Sequence, residues 1–246
     1  SSVPGTTRDS VKIPFEFNQH QFTLIDTAGV RRKSKVREAV EKYSIVQTLG
    51  AISSAHVVIC MVDVTEGMAD QDSTLLEIVM REGRALVLAL NKTDCASQDD
   101  HHMLGYSLDT KYQYLSYVEK VKISAEKKVG LKKLMNAVIA ANNSAAVDLS
   151  TSEANQLLEQ AVEANVPPLV NGRRIKLRYT HQGGSHPPTF LLYRSQTTTL
   201  PTSYIPYLEN FFRNKLKLVG TPIRFLLRTP ENPYAGKHYT LTPRQK

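Results

Sequence analysis

Hydrophobic positions in this chain fall into two registers that alternate along its first half. Val11, Ile13, Phe15 and Phe17 are spaced by polar residues at the period of a half-buried strand, and Asn18-Gln19-His20-Gln21 has the composition of a turn leading back into Phe22–Asp26. Val57–Val62 and Ala85–Leu90 are continuous apolar runs and Val121–Ile123 a shorter one, as in strands covered on both faces. Between them Ile45, Leu49 and Ile52 recur at helical spacing from about Glu38. Leu75, Leu76, Val79 and Met80 do so again, behind Asp70 or Asp72 as a cap. Further helices are expected near Leu104–Glu119 and over Leu131–Ala141. Strand and helix thus alternate, which predicts an α/β domain built on a largely parallel sheet.

After the small residues Ala141-Asn142-Asn143-Ser144-Ala145-Ala146 the pattern changes. Ser150-Thr151-Ser152-Glu153 is a capping box that opens a helix with Leu157, Leu158, Ala161 and Val162 inward, ended before Pro167-Pro168. Strand Arg174–Thr180 places Ile175, Leu177 and Tyr179 inward and Arg174, Lys176 and Arg178 outward. Strand Thr189–Arg194, a helix carrying Tyr204, Leu208, Phe211 and Phe212, and strand Thr221–Arg228 follow, the last with Arg224 and Arg228 outward. This α-β-β-α-β order predicts a small α+β domain. The expected division is 1–147 for the first domain, 148–230 for the second and 231–246 for a polar, basic tail.

Charge sharpens that division. The net charge is +8; residues 1–150 hold 18 Lys and Arg against 18 Asp and Glu, and residues 151–246 hold 13 against 5. The second domain therefore carries the whole excess, which points to an acidic partner, nucleic acid being the commonest. The rest of the composition is ordinary for a globular protein. No apolar run approaches the roughly 18–20 residues of a membrane span, so no membrane role is expected. Cys60 and Cys95 are isolated, and His101-His102 reads as a solvated helix start, leaving neither a disulfide framework nor a zinc site. A cytoplasmic, monomeric protein is expected.

The chemistry concentrates at strand ends. Phe22–Asp26 runs into Asp26-Thr27-Ala28-Gly29, so a buried parallel strand would deliver a carboxylate and a free backbone N–H to the carboxyl edge of the sheet, where α/β proteins bind ligands. Ala85–Leu90 runs into Asn91-Lys92-Thr93-Asp94 and Val121–Ile123 into Ser124-Ala125, while Pro4-Gly5-Thr6-Thr7-Arg8-Asp9 lies upstream. In this order and at these strand ends, the four pieces resemble the guanine-nucleotide-binding GTPases of the P-loop class. The resemblance implies GTP or GDP as ligand and Mg²⁺ as cofactor. Asp26 would hold Mg²⁺ through water, and the Gly29 N–H would sense the γ-phosphate. Thr7 would reach both Mg²⁺ and the γ-phosphate, with Thr27 and Ala28 lining the same loop. Thr7 and Gly29 would carry the catalytic switch. Asn91 and Lys92 would frame the base, and Asp94 would accept hydrogen bonds from guanine N1–H and the 2-amino group. Ser124 and Ala125 would close the base pocket through backbone groups.

With its basic α-β-β-α-β module and the stretch Thr221-Pro222-Ile223-Arg224, the chain from Pro4 to about Arg228 resembles the C-terminal half of the Der (EngA) family. That resemblance implies a second GTPase domain followed by a KH-like domain, acting in assembly of the large ribosomal subunit and touching rRNA. Three departures matter. No Gly-x-x-x-x-Gly-Lys-Ser/Thr occurs, so the chain is expected to be a portion of a longer protein. The strand carrying that loop would lie between those ending at Asp26 and Asp63, and without it two strand edges would be open. Val30 stands where many GTPases place a water-orienting Gln, and in relatives a potassium ion supplies that function. The second domain lacks the Gly-x-x-Gly clamp of ordinary KH domains; Gly183-Gly184 lies between two strands. Arg174, Lys176, Arg178, Arg224 and Arg228 are then either phosphate contacts or a solvated sheet face. A non-hydrolysing RNA-binding scaffold and a tRNA-modifying GTPase are the alternative readings.

Overall fold

The computed structural model describes residues 11–26, 48–170, 173–194, 200–201 and 203–228 of the chain. Thr7, Thr27, Ala28, Gly29, Val30, the basic run Arg31–Arg37 and the tail lie outside the described residues, as do the side chains of Asp26 and Arg174. The helix expected from Glu38 is described from Thr48, and residues 48–54 are helical.

Strands β1 (Val11–Phe17) and β2 (His20–Asp26) form the expected antiparallel hairpin, with Val11 opposite Asp26 and Phe17 opposite His20. The turn is shorter than the sequence suggests. Asn18 and Gln19 alone make it, at φ 49° and 63°, the paired positive values that match the right-handed twist of a two-residue hairpin. The expectation of a buried parallel strand over Phe22–Asp26 is corrected: β2 pairs antiparallel with β1, and Leu24 is 46% exposed. Phe22 packs against a core cluster and stacks on Phe15 with centroids 5.2 Å apart.

Strands β3 (Val57–Asp63), β4 (Ala85–Asn91) and β5 (Glu119–Lys122) form a parallel sheet with β4 in the middle. β4 is buried from Ala85 to Leu90 because both its faces are covered. Leu86, Leu88 and Leu90 enter one cluster with Leu76, Leu104 and Leu108; Val87 and Ala89 enter the other with Leu134, Val138 and Ala141. Each fully buried Leu or Val there contributes roughly 1.5–3 kcal/mol over exposure. Among the described residues, β2 and β3 each have one hydrogen-bonded neighbour.

The helices between these strands are α1 (Asp70–Glu82), α2 (Gln98–Thr110) and α3 (Leu131–Ala145). Asp72 serves α1 from its third position, accepting the Ala69 N–H at 2.9 Å. The helix expected near Leu104–Glu119 starts earlier and stops at Thr110. Ser97 and Asp100 make a reciprocal capping box, Ser97 N–H to Asp100 at 2.8 Å and Asp100 N–H to Ser97 Oγ at 3.1 Å. A short 3₁₀ turn, Gln113–Leu115, then leads to Val118 and β5. No helix among the described residues is long and apolar enough to cross a membrane.

The chain divides into two compact units. The first takes Ser1–Asp148 together with Gly184–Thr189 and Arg213–Arg224, two segments that the sequence reading assigns to the second domain. Backbone bonds tie both segments in: the His186 N–H donates to the Ala145 carbonyl at 2.9 Å, the Leu86 N–H to the Gly220 carbonyl at 2.6 Å and the Gly220 N–H to the Tyr117 carbonyl at 2.8 Å.

The second unit holds α4 (Thr151–Ala164), the short strands β6 (Leu169–Val170) and β7 (Arg173–Arg174), β8 (Leu177–Gly184) to Gly183, β9 (Thr189–Arg194) from Phe190, α5 (Tyr204–Leu216) to Phe212 and β10 (Arg224–Arg228) from Phe225. The capping box expected at Ser150 is present, with Glu153 N–H donating to Ser150 Oγ at 3.3 Å. Phe190, Phe212 and Phe225 meet at its centre, centroids 5.0–5.5 Å apart. One expected strand is divided. Residues 175 and 176 separate β7 from β8, so the alternation changes phase: Ile175 is buried, Thr180 takes the inward place, and Tyr179 turns outward. The last strand is also shorter than Thr221–Arg228, though Thr221 and Ile223 are buried before it begins.

Candidate functional site

Parallel pairing sets the C-terminal ends of β3, β4 and β5 at one edge of the sheet, Asp63 opposite Asn91. There the loop after β4 is tied to the loop after β5. The Asn91 side-chain oxygen accepts the Ala125 N–H at 3.0 Å, and its amide N–H reaches Met61 Sδ at 3.4 Å. Thr93 donates twice to the Ile123 carbonyl, from its N–H at 3.2 Å and its hydroxyl at 2.9 Å. Lys92 turns the chain between them at φ 63°, and its carbonyl accepts the N–H groups of Cys95 and Ala96. The loop is held by its own strand ends.

Two carboxylates stand at this edge. The Asp94 side chain is 12% exposed and has Lys127 Nζ 3.4 Å from Oδ2, with the Cys95 thiol donating to it as well. The Ser124 hydroxyl is the strongest influence on Asp94 and holds its pKa down at about 2, so the group is ionised at neutral pH. Cys95, in turn, has its thiol pKa raised by the same Asp94 bond. Burial alone would push Asp63 up. The Lys92 ammonium 2.5 Å away, with the Thr65 hydroxyl and N–H, outweighs burial and leaves it below the usual carboxylate range.

Beneath the loop after β5, Ser124 is buried and pairs with Val129 through two backbone bonds of 3.0 Å each. Gly130 makes that return possible. Its φ is 78°, and a Cβ there would lie 2.4 Å from the Lys122 carbonyl oxygen, so only glycine fits.

Asn91, Lys92, Asp94, Ser124 and Ala125 therefore share one edge. Asp26 ends β2, with its side chain outside the described residues, as are Thr7, Thr27, Ala28 and Gly29. Sequence reasoning missed Asp63, Thr93, Lys127 and Gly130 as parts of this site. Only the position of Asp63 and Thr93 at the ends of apolar runs could have signalled them. The C-terminal basic residues do not form one row. Lys176 and Arg178 are exposed, on either side of the start of β8, and Arg228 is exposed at the end of β10. Arg224 is half-buried and donates to the Arg81 carbonyl at the end of α1. The chemistry at the sheet edge is an ionised acceptor beside two fixed backbone loops, suited to a flat, donor-bearing ring.

Comparison with known proteins gives two family models. One described as "50S ribosome-binding GTPase" matches residues 1–92, and one described as "KH-domain-like of EngA bacterial GTPase enzymes, C-terminal" matches residues 149–228. Among curated proteins, the chain is similar to GTPase Der of Thioalkalivibrio sulfidiphilus at 52% identity, covering 100% of this chain and 53% of that one. It is similar to GTPase Der of Hahella chejuensis at 53% identity, covering 99% and 52%. The chain thus spans about half the length of the curated relatives it matches. Among solved structures it resembles Era in complex with MgGDPNP and 16S ribosomal RNA at 18% identity and a TM-score of 0.49, covering 93% of this chain and 83% of that one.

Proposed function

The chain belongs to the Der (EngA) family, and on that premise we propose that it contributes the guanine-binding edge of a GTP-hydrolysing switch protein that acts in assembly of the large ribosomal subunit. The observation that carries this reading is the ionised Asp94 carboxylate, set by Ser124 and Lys127 beside the pinned Asn91 side chain. A carboxylate there accepts from guanine N1–H and the 2-amino group together, which adenine does not offer. Lys92 lies over the same edge, and the Ala125 N–H is aligned by Asn91 rather than left to solvent. GTP or GDP enters as its magnesium complex, for which Asp26 and Thr7 are the ligands the family pattern assigns. With Val30 in place of a Gln, hydrolysis by the full-length protein is expected to respond to potassium. The family model for residues 1–92, described as a 50S ribosome-binding GTPase, supports the ribosomal partner. The positive excess of residues 151–246 supports an rRNA contact there.

The test is a competition titration of Asp94→Asn in the full-length protein, with GTP and XTP against a fluorescent nucleotide. Asn presents a donor to the guanine amino group and suits the carbonyl that xanthine has in its place. GTP affinity should fall roughly 10- to 150-fold, and XTP should become the better ligand. A variant that kept the parent's preference for GTP would remove Asp94 from base recognition.

A further inference from the structure

The outward face of the second unit's sheet carries an aromatic cluster that the nucleotide reading does not use. The sheet order is β10-β9-β8. On β9, Phe190 and Leu192 are buried, so Leu191 and Tyr193 point the other way; on β8, Thr180 is buried, and Tyr179 and His181 point that same way. The three rings are nearly parallel. Tyr179 and Tyr193 stack at 4.6 Å and 19°, and His181 lies 5.7 Å from each, tilted 25° to Tyr193 and 22° to Tyr179. The Tyr179 hydroxyl is bonded to His181 Nδ1 at 2.9 Å, which fixes the pair in register. Tyr179 is nevertheless 38% exposed, and on β10 Leu226 is 45% exposed beside exposed Arg228.

The surroundings select one kind of occupant. On this outward face β10 places Arg228, exposed, and Arg224, which donates to the Arg81 carbonyl, and strands β8, β9 and β10 contain neither an Asp nor a Glu. An aromatic face in a basic, carboxylate-free sheet matches a polyanion that brings flat rings with it. A duplex buries its base faces, whereas unpaired bases offer them, and stacking on tyrosine or histidine tolerates any base.

We propose that Tyr179, His181 and Tyr193 form a stacking platform for unpaired RNA bases on the outer face of this sheet, in place of the absent Gly-x-x-Gly clamp. The proposal deepens the rRNA contact named above and rests on it: phosphates would be met by a flanking residue such as Arg228, and bases by the rings.

The test uses the full-length protein and a fluorescein-labelled ten-nucleotide oligouridine, with an RNA duplex of equal length as competitor. The parent should prefer the single strand. Tyr193→Ala and Tyr179→Ala should each weaken its binding roughly 5- to 150-fold, while Tyr193→Phe and Tyr179→Phe keep it. Tyr193→Leu, which preserves an apolar side chain on the sheet without a ring, should lose binding like the alanine variant and guards against a folding artefact. If the parent binds and the ring-free, folded variants bind equally well, the platform is wrong and the rRNA reading survives on phosphate contacts. If the parent binds no RNA, both fall.

Discussion

The Asn91 side-chain oxygen accepts the backbone N–H of Ala125 at 3.0 Å, so the end of β4 holds the loop after β5 in place. Replacing Asn91 by Ala removes that acceptor while leaving the apolar strand intact. We expect a loss of roughly 0.5–1.5 kcal/mol in urea unfolding and faster hydrogen exchange at the Ala125 amide. Asn91→Asp keeps an acceptor and should retain most of the protection. Unchanged exchange in the alanine variant would show that the loop is held by Thr93 alone.

Asp94 gives a pH dependence with a definite sign. Its pKa in the fold is about 2 against an ordinary 3.8, chiefly through the Ser124 hydroxyl, so the folded state favours its ionised form. The stability it contributes is complete above the ordinary value and is lost as pH falls through about 2. A carbon-detected titration of the Asp94 carboxyl should show a midpoint near the lower figure, moving upward in Ser124→Ala. If that variant left the midpoint in place, the local backbone N–H, the Cys95 thiol and Lys127 together would be the cause.

Gly130→Ala should be costly although the residue lies on the protein's surface side of a loop. A Cβ would approach the Lys122 carbonyl oxygen to 2.4 Å at a φ of 78°. Strain of about 1–3 kcal/mol is expected from the backbone conformation alone, seen as a lower urea midpoint. A variant as stable as the parent would mean that the Ser124–Val129 pairing does not depend on this turn.

Lys92 occupies the left-handed region at φ 63° while its ammonium meets Asp63. Lys92→Ala removes the ion pair and keeps the strained backbone; Lys92→Gly removes both. The glycine variant should therefore be the more stable of the two by about 1 kcal/mol. The reverse order would show that the turn imposes no strain.

How much of this was legible beforehand depended on the range of the interaction. β4 and its Asn91–Asp94 loop were readable because six buried residues in a row and a short motif are both local. The Ser150–Glu153 box was readable for the same reason. The Ser97–Asp100 box is equally local, but the apolar spacing of α2 is weak until Leu104 and does not point to it. Strict alternation places Tyr179 inward, and residues 175 and 176, outside the strand pattern, reverse its face. Arg224 was assigned to an open row, but its carbonyl partner at Arg81 lies more than half the chain away. Gly130 could not be ranked above any other loop glycine until the approach of Lys122 was known. Thr7, Asp26 through its side chain, and Gly29 lie outside the described residues and keep only their sequence assignment.

The bond from Leu86 to Gly220 sets an order of events during synthesis. Pairing between β4 and β5 runs from Val87 onward, and Gly220 supplies the next acceptor along that edge. Gly220 sits so close that a Cβ would be 2.7 Å from the Ala141 Cβ and 2.9 Å from the Leu86 carbonyl oxygen. A nascent chain that has passed Asp148 holds the residues of β3, β4 and β5 and the helices between them, but not yet the segment whose Gly220 carbonyl accepts the Leu86 N–H. The unit closes only when residues near the far end have been translated, at the entropic cost of a loop longer than half the protein. Until then the Leu86 N–H at the start of β4 lacks its native acceptor.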